Sequence, residues 1–124
     1  MRLPQVCFLL ASVTALAGMS LGIYMGLAHD HSLTPMHAHL NLIGWVTMFL
    51  MGLYYVTHEH AVGRLAALQV GASVAGYVSM MTGLAILLGT GRESVMPLVI
   101  AGSLLVWLGM LMFIVIIWRT GRQQ

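Results

Sequence analysis

Residues 95–118 read VMPLVIAGSLLVWLGMLMFIVIIW, twenty-four positions without one charged side chain. A helix of that length is about 36 Å long at 1.5 Å per residue, enough to cross about 30 Å of hydrocarbon. Lipid offers no hydrogen bonds, so a spanning segment must satisfy its own backbone, and a helix does so. The run is too long, and lacks the alternation, for a strand of a membrane barrel. Three further apolar runs lie upstream, at 6–28, 36–56 and 65–88, each long enough to span. The expected fold is therefore all-α: a four-helix transmembrane bundle in a single domain over residues 1–124.

The composition agrees. The chain is 60% hydrophobic and only 6% charged, against about a quarter in a soluble domain. So few charges cannot cover a water-facing surface. The basic balance comes from five arginines with no lysine, and no nucleic-acid-reading motif accompanies it. Cys7 stands alone, so it forms no internal disulfide and no paired-cysteine metal site, and reads as a small buried residue. The first apolar run follows Arg2 but is longer than the core of a cleaved signal peptide, so it is expected to stay as the first span.

The links at 29–35, 57–64 and 89–94 are short and polar. Short links make successive helices antiparallel neighbours, which gives an up-down-up-down unit with both termini on one side. Arg2, Arg64, Arg119 and Arg122 fall on that side and only Arg92 on the other. The positive-inside rule then puts both termini in the cytoplasm of a bacterial inner membrane, with residues 29–39 periplasmic. Thr34 is expected to cap the second helix, with Pro35 at its first position.

Helix one carries Gly18, Gly22 and Gly26, and helix three carries Gly71, Ala75, Ser79 and Gly83. Small residues four apart let backbones approach, so these two helices are expected to face protein. Helix four, apolar on most faces, is expected to face lipid, with Trp118 at the interface.

All six histidines lie in helix two or beside it, as the pairs His29/His31, His37/His39 and His58/His60. The middle pair sits within the first turns of a membrane helix, where ionisable residues are costly and usually functional. Residues two apart diverge by about 200° on an ideal helix, so His37 and His39 cannot clamp one metal ion. Each can address a different group. His37 shares a stripe with Asn41, Gly44, Met48 and Tyr55, while His39 points towards Ile43, Thr47 and Leu50. Gly44, about a turn below His39, leaves room for a flat group. A closed zinc site needs three or four converging ligands; a haem needs only one or two and an apolar slot. The pair is therefore a candidate for haem iron, with Asn41 and Gly44 lining the cofactor. Hydrogen bonding between helices, and a copper site using His29 and His31, are the alternatives. His58 lies 21 residues beyond His37, about 30 Å along the axis, and belongs to another site. The methionines serve as flexible filler, with Met36 or Met48 as a conceivable ligand.

The segment His37-Ala38-His39-Leu40-Asn41-Leu42-Ile43-Gly44-Trp45, running on to Gly52-Leu53-Tyr54-Tyr55, resembles helix two of the catalytic subunit of the haem–copper oxidase superfamily. The nitric oxide reductases and cbb3-type oxidases are the nearest in pattern. By that resemblance His39, in His39-Leu40-Asn41, is an axial ligand of haem b. An H-x-H pair elsewhere in that family binds two haems, one per histidine, and its pattern falls on His37-Ala38-His39. The resemblance covers about twenty residues. The family's catalytic subunit has twelve helices in three arcs of four, and this chain has one arc, without a separate copper-binding helix.

The expectation is a membrane b-type haem protein in electron transfer or haem-linked redox chemistry, with a redox partner or quinol as donor. No general base, nucleophile or substrate pocket is readable, so no enzymatic activity is assigned. A cofactor-free assembly subunit of a respiratory complex and a copper-binding module are the other readings. Because one chain's two rings diverge, a homo-oligomer is expected to hold each haem between chains. A trimer is favoured over a dimer, by likeness to three arcs.

Overall fold

The computed structural model describes residues 2–122. Arg2 has extended backbone, and the chain turns helical at Leu3 with Pro4 in the first turn, where a missing N–H costs nothing. This helix, α1, runs Leu3–Ala28. It stops at His29, whose φ of 52° is left-handed, a conformation that cannot continue a right-handed helix. The Asp30 carboxylate accepts the Ser32 N–H at 2.9 Å and closes the link. That bond stabilises the charged form and holds the Asp30 carboxyl below the usual carboxylate range.

Helix α2 spans Thr34–Thr57. Thr34 does not cap it. Leu33 occupies the cap position, and the Thr34 hydroxyl donates back to the His31 carbonyl at 2.7 Å. The helix is also not uniform. Between the α-helical ends Thr34–His39 and Met48–Thr57, residues Leu40–Thr47 are π-helical. A π turn bonds i to i+5, and the Thr47 hydroxyl follows the same step, donating to the Leu42 carbonyl at 2.7 Å. After a single 3₁₀ turn, Glu59–Ala61, helix α3 runs Arg64–Thr90 and stops at Gly91, whose φ of 69° suits a residue without Cβ. A second 3₁₀ turn, Glu93–Val95, leads into α4, Met96–Gly121. All four helices are long and apolar enough to cross a membrane, and no strand occurs among the described residues.

Facing pairs give the topology. Gly22 meets His37 and Gly52 meets Cys7, so α1 and α2 are antiparallel. Tyr55 bonds Gln69 while Gly44 meets Tyr77, so α2 and α3 are antiparallel. Gly83 meets Val99 and Gly76 meets Gly102, so α3 and α4 are antiparallel too. The result is the expected up-down-up-down bundle. Of the expected stripe, Gly83 and Ser79 do face α4, Ser79 donating to the Leu98 carbonyl at 3.1 Å, but the closest approach is at glycines outside it. A Cβ on Gly76 would lie 2.7 Å from the Gly102 carbonyl oxygen, and one on Gly102 would lie 2.6 Å from that of Gly76. Gly71 has nothing within 4 Å, and Ala75 is exposed.

Two cores sit at opposite ends. Cys7 and Ala11 pack with Met48, Met51, Tyr55, Val70 and Ile116 at one. Leu40, Tyr77, Met80 and Met81 pack at the other. A buried polar chain threads the first core: the Tyr55 hydroxyl donates to Gln69 Oε1 at 2.8 Å, and Gln69 Nε2 donates to Ser73 Oγ at 3.1 Å. In lipid such groups need partners, and these supply one another. Helix α4 is the least buried, as expected, but α1 turns nearly as much of its surface outwards. At the end of α4 the Arg122 guanidinium lies 4.2 Å from the centre of the Trp118 ring.

Candidate functional site

The first turns of α2 hold His37 and His39 differently. His37 lies across the α1–α2 interface. Its ring occupies the notch that Gly22 leaves, where a Cβ would lie 3.0 Å from Cε1. Its Nδ1 lies 2.9 Å from the Gly18 carbonyl oxygen. A carbonyl only accepts, so Nδ1 carries the proton and Nε2 keeps the lone pair. Asn41 stands beside it. The Asn41 amide donates to the His37 carbonyl at 2.8 Å and reaches Nε2 at 3.4 Å. Asn41 needs room as well, and Gly18 gives it: a Cβ there would fall 2.7 Å from Asn41 Nδ2. The Gly18/Gly22 pair thus receives two polar side chains rather than a bare backbone, and Gly26 has nothing within 4 Å.

His39 is tied to its own helix. Its Nδ1 lies 2.6 Å from the Pro35 carbonyl oxygen, so it too is protonated there and presents Nε2 as the basic nitrogen. Metal-binding histidines are commonly fixed in this manner, with one ring N–H donated to a backbone carbonyl. Further along α2, Leu42, Val46, Leu50 and Leu53 are exposed apolar residues.

The room left by Gly44 is taken from inside the bundle. A Cβ there would lie 2.6 Å from both Cζ and the hydroxyl oxygen of Tyr77. Tyr77 is 9% exposed, and its hydroxyl is buried without a hydrogen-bond partner. Gly44 lies within the π-helical segment, so the one orphaned polar side-chain atom recorded among the described residues rests against irregular helix. Tyr77 is not evident from composition. Counting outward along both arms of the α2–α3 hairpin would have paired it with Gly44, because the two stand at similar distances from the link.

The other histidines stay apart. His29 and His31 are exposed in the first link. At the opposite end of α2, the His58 ring stacks on Tyr54 with centroids 4.3 Å apart and lies 6.0 Å from that of His60. Among the described residues no group of three or more His, Cys, Asp or Glu side chains converges as a metal-binding cluster. Met36 and Met48 pack with the apolar cores. For a haem, the ring geometry fits at His39, whose Nδ1 is engaged by the Pro35 carbonyl, whereas the Nε2 of His37 faces the Asn41 amide.

Comparison with known proteins finds no matching family model, no matching curated protein and no matching solved structure. The fold and composition define the class: an integral membrane protein built as a small bundle of four long apolar helices.

Proposed function

We propose that this chain is a b-type haem protein of the membrane, working in electron transfer or haem-linked redox chemistry. His39 and His37 are the axial ligands, and Asn41 orients His37. One observation carries the reading: at the end of a membrane helix the His39 ring has Nδ1 engaged by the Pro35 carbonyl, which leaves its Nε2 for a ligand. Bound haem would supply a one-electron iron couple. The resemblance of residues 37–55 to helix two of the haem–copper oxidase superfamily supports the same choice. The divergence of the two rings of one chain favours a homo-oligomer in which haem lies between chains, and likeness to the three arcs of the oxidase subunit favours a trimer over a dimer. The arginine distribution favours cytoplasmic termini and a periplasmic His37/His39 end.

The test is spectroscopic. Protein purified after expression with ample haem should show a Soret band and sharp α bands on reduction. Absence of colour under those conditions removes the proposal. Carbon monoxide binding on reduction distinguishes one axial histidine from two.

A second reading has its own observation. His37 has both ring nitrogens in contact with polar partners within the helix pair, as a packing residue would. In that reading the chain is a cofactor-free assembly subunit, and His37→Ala loosens α1 from α2 without touching any spectrum. A copper-binding module drawing on His29 and His31 is separated from both by metal analysis of the purified protein.

A further inference from the structure

At the far end of the bundle from His37, the first turn of α1 and the link after α2 border an open groove of about 600 Å³, within the size range of small-molecule sites. Arg2 and Glu59 both line it, with Gln5, Phe8, Tyr55 and Val56 among the other walls. The two charges are of opposite sign and sit just outside the apolar spans, Arg2 one residue before α1 and Glu59 at the start of the 3₁₀ turn. Below them the surface is apolar. Phe8 packs on Phe49 with centroids 5.0 Å apart, and Leu9, Phe49 and Leu53 are exposed. A charged mouth over an apolar wall, at the depth where headgroups lie, matches one kind of molecule.

We infer that this groove binds a phospholipid with a zwitterionic headgroup bearing a primary ammonium. The phosphate pairs with Arg2, the ammonium with Glu59, and an acyl chain runs along Phe8 and Phe49. Charge selects the headgroup. A purely anionic lipid would bring its phosphate to Arg2 but set it beside the Glu59 carboxylate. A quaternary ammonium has no N–H for that carboxylate to accept, whereas a primary ammonium has three. A neutral amphiphile brings no charge to either side chain. The inference does not depend on haem.

The experiment uses the full chain in detergent and native mass spectrometry with phosphatidylethanolamine, phosphatidylcholine and phosphatidylglycerol of identical acyl chains. Wild-type protein should retain phosphatidylethanolamine over each of the others by about fivefold, the upper range for a solvent-exposed ion pair. Glu59→Gln should bring retention of the ethanolamine and choline lipids to within about twofold of each other. Arg2→Gln should weaken all three, since all carry the phosphate. Both residues lie outside the two cores, and unchanged helical circular dichroism will show that the variants fold. Equal retention of the three lipids by wild type overturns the proposal. So does a preference for phosphatidylglycerol, a selectivity that survives both substitutions, or displacement of the bound lipid by an uncharged quinone analogue at equal concentration.

Discussion

Replacing Gly44 with alanine tests the contact between the π-helical segment and α3. The new Cβ would lie 2.6 Å from Tyr77 Cζ and from its hydroxyl oxygen, and 2.8 Å from Cε2. Carbon atoms rest at about 3.5–4.0 Å, so the ring or the helix must retreat by roughly 1 Å. The ring is held by Leu40, Met80 and Met81, which leaves little slack. Overpacking of this kind costs about 1–3 kcal/mol. At about 4 °C per kcal/mol for a chain of this size, the melting temperature should fall by about 4–12 °C. Circular dichroism in detergent measures it. The sign should reverse when Tyr77 is also alanine: with the clash gone, Gly44→Ala should stabilise by up to about 1 kcal/mol, because alanine is the better helix former. If Gly44→Ala melts within about 1 °C of wild type, or destabilises equally without the Tyr77 ring, the contact is not what requires glycine there.

Tyr77→Phe should raise stability by about 1 kcal/mol, since it removes a buried hydroxyl without a partner; a lower melting temperature would mean that the hydroxyl is satisfied. Gln69→Leu should cost about 2–3 kcal/mol in the same melt, because it strips the acceptor from the Tyr55 hydroxyl and the donor from Ser73. Under the proposed haem function, His39→Ala should abolish haem binding in the reduced spectrum, whereas His37→Ala should shift the spectrum and also lower the melting temperature, having lost its bond to Gly18. The Asp30 carboxyl lies below its ordinary value, so the turn it closes is fully held above about pH 3.8 and is released as pH falls through the lower folded value. The Ser32 amide resonance should titrate in that acid range, and Asp30→Asn should leave it flat.

The four helices and their order were legible because the apolar runs are long and the polar links short. Which residues face which was far less so. In a soluble bundle polarity separates inside from outside, but in lipid both faces are apolar. Leu40 is buried and Leu42 is 63% exposed, two leucines that sequence alone cannot tell apart. Small residues misled for the same reason: Gly71 and Gly76 look alike, and only Gly76 meets another helix. Gly18 and Gly22 were recognisable as close-approach positions, but their guests, Asn41 and His37, were not. The singling out of His37 and His39 rested on the rarity of ionisable groups at that depth, and that of Asn41 on its stripe with His37 and on the family resemblance; the structure adds what fixes each ring. Counting at 3.6 residues per turn through 40–47 could not foresee the π segment, since no proline or charge marks it.

The π segment also bears on how α2 tolerates changes of chain length. Elsewhere in the helix, losing one residue turns everything beyond it by about 100° relative to its neighbours. A deletion near Leu50 would thus swing the histidine end off the Gly18/Gly22 notches or pull Tyr55 away from Gln69. Within Leu40–Thr47 the backbone already accommodates a surplus, bonding five residues apart where four would do. Removing Ile43 would let that stretch relax towards ordinary α-helix with both flanks near their present faces. Helix α2 therefore has one stretch in which its length can vary by a residue while His37 stays against α1 and Tyr55 stays against α3.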